Sequence, residues 1–219
     1  MLSHVMLDSH FFAFAGVAAL LVLSPGATMA VVADAAFEEG RRAALWTVAG
    51  IGSANGTMAL AAAFGLAAVV HRVPVVLTVM SVVGAAYLAW LGVRALWRAA
   101  HENRADLDVR PAAGRKPRPA RVPPLARFGR GLLTNYANPS VVLFYAVVVP
   151  QFIPPGTSFL PRYLLLGGTH VAMSVVWQGA VGISVGLFAE RMARPGVRRG
   201  IDLAMGFALL AFALKIAIS

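Results

Sequence analysis

The sequence predicts an all-α integral membrane protein with six transmembrane helices, arranged as two inverted three-helix repeats. Of its 219 residues, 59% are hydrophobic and only 13% are charged, whereas soluble domains carry roughly 25% charged residues. The mean hydropathy is +0.74. A water-soluble core cannot bury that much apolar surface in a chain of this length, so the bilayer must be its solvent. The composition therefore disfavours a soluble enzyme, a DNA-binding domain and a disordered scaffold.

Six apolar segments each approach or exceed the roughly 20 residues that an α-helix needs to cross the hydrocarbon layer. They do not alternate in polarity as barrel strands do. In chain order they cover residues 11–37, 43–70, 74–97, 132–152, 160–188 and 200–218. Neither Lys nor Arg precedes Phe11, so we expect the first segment to remain in the mature protein rather than be removed as a signal peptide.

A basic, proline-rich linker at residues 103–126 separates an N-terminal half, 1–102, from a C-terminal half, 127–219. Prolines and like charges prevent a packed core there, so we expect a tether that contacts anionic lipid head groups. A nucleic-acid-binding or regulatory tail is the alternative interpretation. It is less favoured because membrane loops are routinely basic.

The distribution of positive charge orients the six spans. Of the 19 Lys and Arg residues, 16 lie in the loops after spans 1, 3 and 5 or, as Arg94 does, in the last turn of span 3, which places those loops and the linker in the cytoplasm and both termini outside. The net charge of +10 is thus mostly a topology signal, and we predict no nucleic-acid partner. Three spans on each side of a central linker make the second half inverted relative to the first, as in inverted-repeat transporters.

Span 1 contains a capped proline that predicts a broken helix. Ser24 precedes Pro25, and Gly26 and Thr28 follow it. Proline is tolerated at the first position of a helix, and serine before it can accept bonds from exposed N–H groups. We therefore expect a new half-helix to begin inside this span, with Ser24 as its N-cap.

Span 4 repeats the pattern, with Asn138 before Pro139 and Asn135 one turn earlier. In inverted halves the two half-helix N-termini face each other near the midplane, where their positive ends and free N–H groups would bind a carboxylate. The substrate-binding residues predicted from both breaks are Ser24, Pro25, Gly26, Thr28, Asn135, Asn138 and Pro139. The alternative is a pair of simple proline kinks.

The remaining candidates are polar residues within spans. Asn55 is predicted to contact substrate, although an amide at this depth more often joins helices. His170, on a face with Ser174 and Gln178, is a candidate proton carrier, or else a neutral histidine hydrogen-bonded between helices. Asp34 is the second candidate carrier, or else pairs with Arg41 or another loop arginine.

Small residues predict close helix packing. Gly52 with Gly56, and Gly182 with Gly186, form GxxxG pairs that allow helices to approach.

Several short motifs resemble those of the LysE/RhtB family of amino-acid exporters. The motifs are Pro25-Gly26, Gly40-Arg41-Arg42, Gly84-Ala85-Ala86-Tyr87-Leu88, Gly92, Asn138-Pro139, Phe144 and Pro150-Gln151-Phe152. The resemblance implies a six-helix protein of the bacterial inner membrane that exports amino acids or their derivatives, driven by proton exchange. The chain departs from the family pattern at Ala27, where proline is usual, and at Ser140, where lysine is usual.

The prediction that follows is a secondary exporter of a small amino acid or derivative, working by proton antiport, with the bilayer and protons as its other partners. A homo-oligomer is compatible with the sequence. No enzyme activity, catalytic residue, metal site or cofactor is predicted, because no nucleophile and base can be assembled from these spans. The alternatives are efflux of another small solute or of a metal cation, and a non-transporting membrane adaptor that acts through the linker.

Overall fold

A computed structural model describes residues 8–24, 26–70, 75–101, 122–184 and 195–217. Within these ranges the chain is all-α, as predicted. The helices are α1 (Ser9–Leu23), α2 (Ala27–Glu39), α3 (Arg41–Val70), α4 (Val75–His101), α5 (Pro124–Tyr136), α6 (Pro139–Leu143), α7 (Phe159–Ile183) and α8 (Pro195–Ala217). A π-helical turn (Phe144–Val148) and a 3-10 turn (Val149–Phe152) continue α6.

The membrane spans are partly recovered in the described residues. Two helices, α3 over Arg41–Ala68 and α7, are by themselves long and apolar enough to cross a membrane. Two bent pairs reach that length together: α1 with α2, at 50°, and α5 with Pro139–Phe152, at 61°. The described part therefore contains up to four spans by this measure. The third and sixth predicted spans coincide with α4 and α8, of 27 and 23 residues, and the total of six stays a prediction.

The predicted break in span 1 is present, but its capping residue was assigned wrongly. The backbone N–H of Ser24 donates to the carbonyls of Leu20 and Leu21, so Ser24 closes α1. The N-cap of α2 is Gly26, which has no side chain to accept a bond. Pro25 lies outside the described residues. The error has a simple cause: Ser24 stays bonded to the preceding turn, and α2 begins only at Ala27.

The break in span 4 follows the prediction closely. Asn138 is the N-cap of α6, with Pro139 as the first helical residue. The Asn138 Oδ1 accepts a bond of 3.1 Å from the backbone N–H of Ser140. This cap satisfies one of the donors that a helix start leaves free.

Helix α3 lies at the centre of one packing group and contacts α2, α5 and α7, while α4 and α8 pack along each other. An aromatic cluster joins α1 to the chain after α6. The Phe14 ring lies 5.9 Å from that of Phe144 and 5.4 Å from that of Phe152, centroid to centroid. All three rings are buried, so this cluster fixes the position of α1 against the second half of the chain.

Glycines permit the closest helix crossings. A Cβ at Gly50 of α3 would overlap the carbonyl oxygen of Phe128 on α5, and a Cβ at Gly131 would overlap that of Thr47. The α3 and α5 backbones therefore touch directly. Any larger side chain at either glycine must push the helices apart.

The predicted GxxxG pairs behave unequally. A Cβ at Gly52 would lie 2.7 Å from the Val175 side chain, and one at Gly182 would lie 2.9 Å from Ala44 Cβ. Gly56 has no such neighbour within 4 Å, so the close-packing prediction is wrong for that residue. Gly186 lies outside the described residues.

Ion pairs join α2 to α5 near the C-terminal end of α2. The buried Arg127 guanidinium contacts the carboxylates of Glu38, at 3.0 Å, and Glu39. Asp34 lies 3.6 Å from Arg130 of α5, which matches the prediction that Asp34 pairs with an arginine near the span end.

Two further ion pairs join other helices. Asp8, the N-cap of α1, accepts from the backbone N–H of Phe11 at 2.8 Å and from Arg162 of α7. Partial burial raises the pKa of Asp8, but these hydrogen bonds hold it below its usual value. On α4, Arg98 lies 2.8 Å from the buried Asp202 of α8. The linker predicted at 103–126 falls outside the described residues as far as residue 121, and α5 already begins at Pro124.

We expect Gly50→Ala to lower the thermal stability of the detergent-solubilised protein, by about 1–3 kcal/mol of overpacking strain at the α3–α5 crossing. The measurement is the melting temperature by fluorescence-detected size-exclusion chromatography. Gly56→Ala on the same helix is the matched control, because its Cβ meets open space and alanine favours the helix. Equal melting temperatures for the two variants would contradict the crossing.

Candidate functional site

A cavity of about 330 Å³ lies at the junction of α1 and α2 and extends to α4, α5, α7 and α8. This volume lies at the lower end of the range usual for small-molecule sites. Most residues predicted for the site line it: Ser24, Gly26, Thr28, Asn55, Asn135, Asn138 and the candidate proton carrier His170. Pro139 does not line the cavity, and Pro25 is not among the described residues. The structure thus brings together residues from both halves of the chain.

The start of α2 forms one wall of this cavity. Gly26, Ala27 and Thr28 all line it, and the first intrahelical bond to Gly26 comes from the N–H of Ala30. The N–H groups of the first turn therefore have no partner within the helix, and Gly26 offers no side-chain cap. Together with the helix dipole, they favour a negatively charged group at this wall.

The two helix starts are not equivalent, although the sequence predicted a matching pair. At α6, Asn138 already occupies one backbone donor, and α6 itself is only five residues long. At α2 the donors remain uncapped by any side chain. The two starts therefore differ in capping, and α2 is the better anion-binding end; that the two starts face each other stays a prediction.

Three polar side chains that line the cavity are joined by hydrogen bonds into a polar chain. The Asn135 Nδ2 donates to Asn55 Oδ1 at 2.8 Å, and the Asn55 Nδ2 donates to Ser174 Oγ at 3.1 Å. The three residues come from α5, α3 and α7, and all are buried. Asn55 therefore joins helices, as the alternative interpretation held, and it also lines the cavity.

His170 lies on the face of α7 that the sequence predicted, with Ser174 and Gln178 buried at successive turns. Its Nδ1 lies 2.7 Å from the hydroxyl of Tyr145, and its ring packs 4.3 Å from that of Phe144, centroid to centroid. This hydroxyl either donates to a neutral imidazole or accepts from it. The bond joins α7 to the π-helical turn, as the alternative interpretation of His170 held, and its role as proton carrier stays a prediction.

Asp34, the second candidate carrier, is not among the residues that line the cavity. Its carboxylate is half-exposed and lies near Arg130. The structure therefore places Asp34 in an ion pair between α2 and α5, away from the candidate binding residues.

Sequence reasoning missed two arginines and did not assign Gln178 to the site. Arg94 and Arg98 line the cavity with Leu91, although the sequence analysis counted both arginines only as a topology signal. Arg94 follows Leu91 by three residues and Arg98 follows Arg94 by four, which puts all three on one helix face, and that signal was available. The side-chain oxygen of Gln178, Oε1, is buried without a hydrogen-bond partner in the described part of the chain.

The charges at this cavity favour an anionic group. Among the described lining residues there are two arginines and no Asp or Glu. Arg98 is matched by Asp202, whereas Arg94 lies 5.2 Å from the centroid of the Trp90 ring. Across the described residues, no group of three or more His, Cys, Asp or Glu could hold a metal ion.

Comparison with known proteins gives one family and several relatives. The family model of the LysE type translocator matches residues 19–219. The chain is 31% identical over 166 residues to a homoserine/homoserine lactone efflux protein of Salmonella typhimurium, which covers 76% of this chain and 75% of that protein. It is 27% identical over 207 residues to a threonine efflux protein of Escherichia coli, covering 93% of each. No solved structure matches the chain.

We expect Asn55→Leu to destabilise the protein by about 1–2 kcal/mol, because the variant leaves the buried amide of Asn135 and the hydroxyl of Ser174 without their partner. The melting temperature in detergent measures this loss. The control is Ser53→Ala on the exposed side of the same helix. A melting temperature unchanged by Asn55→Leu would mean that the polar chain does not hold α3, α5 and α7 together.

Proposed function

This chain belongs to the LysE type translocator family, and from that premise we propose that it is a secondary transporter that exports a small amino acid or amino-acid derivative. The transporter moves its substrate without a catalysed chemical change. The relatives named for homoserine and threonine efflux support a small, hydroxyl-bearing amino acid as the first substrate to test. We place the protein in the bacterial inner membrane.

The observation that carries the proposal is the cavity at the uncapped start of α2. Free backbone N–H groups at a helix start bind a carboxylate in discontinuous transporter helices. The neighbouring polar chain of Asn135, Asn55 and Ser174 adds neutral hydrogen-bonding groups within the same cavity. An amino acid needs both kinds of partner, one for its carboxylate and others for its ammonium and hydroxyl groups.

Six spans in two inverted halves remain part of the proposal, and two features support them. Gly206 follows Gly92 by the same number of residues as Pro139 follows Pro25. A Cβ at Gly92 would lie 2.9 Å from the Gly206 carbonyl oxygen, and one at Gly206 would lie 3.0 Å from that of Gly92. Counterpart helices also pack on each other, α3 on α7 and α4 on α8. This is the pattern that a pseudo-two-fold axis between the halves produces.

Alternating access would then arise from movement of one half against the other. The cluster of Arg127 with Glu38 and Glu39 links α2 of the first half to α5 of the second. With the loops after spans 1, 3 and 5 in the cytoplasm, this ion cluster lies on the cytoplasmic side, and both termini lie outside. This ion cluster would have to separate or rearrange when the two halves move apart on the cytoplasmic side.

The first test is counterflow in proteoliposomes loaded with a mixed pool of amino acids that includes homoserine and threonine. We expect Gly26→Leu to reduce counterflow at least about tenfold, because the added side chain enters the cavity at the start of α2 and opposes binding. Gly26 has no atom within 4 Å of an added Cβ, so the variant can fold.

Gly16→Leu is the matched control. Gly16 is exposed on α1, does not line the cavity, and also has open space around its Cβ position. If Gly26→Leu showed counterflow at the wild-type rate, the start of α2 would not be part of the site. The absence of release of any amino acid by the folded wild-type protein would overturn the exporter proposal and favour another solute or an adaptor role.

Proton antiport is the second part of the proposal, with His170 as carrier. We expect His170→Gln to exchange substrate for substrate but to lose substrate-driven pH changes, because glutamine keeps a hydrogen bond to Tyr145 and cannot carry a proton. An internal pH dye measures the coupling. His101→Gln, at an exposed histidine stacked on Trp97, should leave it intact. Normal pH changes with His170→Gln would exclude His170 as the carrier.

A further inference from the structure

We propose that Arg94 binds the carboxylate of the substrate together with the N–H groups at the start of α2, which line the same cavity, and that Arg94 makes the cavity selective for amino acids with a free carboxylate over their lactones and esters. The proposal rests on the exporter function above and names the chemical group of the substrate that the cavity recognises. Arg94 is a specificity-determining residue in this view. Its role is distinct from that of Arg98, which lies one turn further along α4 in the same cavity.

Arg94 differs from the other cavity arginine in the charge balance of the described residues. Each of the five described Asp and Glu residues lies within 4.0 Å of an arginine. The pairs are Asp8 with Arg162, Asp34 with Arg130, Glu38 and Glu39 with Arg127, and Asp202 with Arg98. In the same part of the chain, Arg94 has no carboxylate at that distance. A guanidinium in a membrane-spanning helix without a counter-charge is costly unless a ligand or water supplies one.

Arg94 packs against an aromatic ring of its own helix. Its guanidinium carbon lies 5.2 Å from the centroid of the Trp90 ring, one turn earlier on α4. An aromatic ring attracts the flat face of a guanidinium and leaves the donors in its plane free. A planar fork of N–H donors matches a carboxylate with two parallel hydrogen bonds. Trp90 thus holds Arg94 without consuming the donors that a substrate needs.

Neutral polar side chains share the cavity with Arg94. Ser140, Ser174 and the amides of Asn55 and Asn135 line the same cavity and are uncharged. No Asp or Glu is among the described lining residues. A carboxylate therefore gains a partner here, whereas a second positive charge, as on lysine, does not. The substrate class that fits is a zwitterionic amino acid with a neutral side chain.

The rival role for Arg94 is an interfacial anchor. It lies two turns from the end of α4 at His101, and arginine side chains near helix ends extend towards lipid head groups. An anchor would affect insertion and folding, but it would not distinguish one substrate from another. The test must therefore compare two substrates in one variant.

The experiment measures inhibition of threonine counterflow by homoserine and by homoserine lactone, in wild-type protein, Arg94→Gln and Arg94→Lys. The lactone has no free carboxylate, so the two inhibitors differ at the group in question. We expect Arg94→Gln to weaken inhibition by homoserine about tenfold or more, and inhibition by the lactone by less than about twofold. For Arg94→Lys we expect inhibition by homoserine to be intermediate between that of the wild-type protein and that of Arg94→Gln. Lysine keeps the positive charge but lacks the planar guanidinium that binds a carboxylate with two hydrogen bonds.

Arg199→Gln, at an exposed arginine of α8 that does not line the cavity, is the control for loss of one positive charge. All proteins are compared at equal folded yield by size-exclusion chromatography. Parallel weakening of both inhibitors, or no change in either, would overturn the role of Arg94 while leaving the exporter function in place. A wild-type protein that moves no amino acid would instead reject the exporter function itself.

Discussion

The constraint on which this structure depends is that backbone N–H and carbonyl groups within a membrane must find partners inside the protein. The described helices meet it through their own hydrogen bonds, except where the chain breaks after Leu23 and after Tyr136. At both places the freed groups face a shared polar cavity rather than lipid. The position of the cavity is thus a consequence of where the helices stop, and polar residues of other helices line it there.

The same constraint explains why the two breaks differ. Asn138 can turn its side chain back onto the backbone of α6 and satisfy a donor there. Gly26 has no side chain, so the start of α2 keeps its donors for whatever occupies the cavity. A half-helix whose first N–H groups are capped by a side chain supports the fold. One whose first N–H groups have no such cap keeps them available for a ligand. The two breaks thus differ in what they leave free, because only the start of α2 has no side-chain cap.

Close backbone contact and buried ion pairs hold this arrangement. Gly50 and Gly131 let α3 and α5 touch along their backbones, which brings Asn55 within reach of Asn135. Arginine and carboxylate pairs then link helices at three separate places. Because a membrane offers little hydrophobic force between helices, such packing and polar contacts carry most of the specificity. The cavity remains where side chains are too small or too polar to fill the space between helices.

The sequence by itself determined the all-α class, the position of both breaks, the capping role of Asn138 and the polar face of α7, because each depends on residues close together in the chain. Local rules of composition, helix length and capping suffice for them. Only the tertiary structure decided that Ser24 closes α1, that Asp34 pairs with Arg130 and that Asn55 bonds both Asn135 and Ser174. It also showed that Arg94, which the sequence analysis counted only as a topology signal, lines the cavity. These outcomes depend on which helices meet and at what depth, and a linear pattern does not encode the distance between residues far apart in the chain.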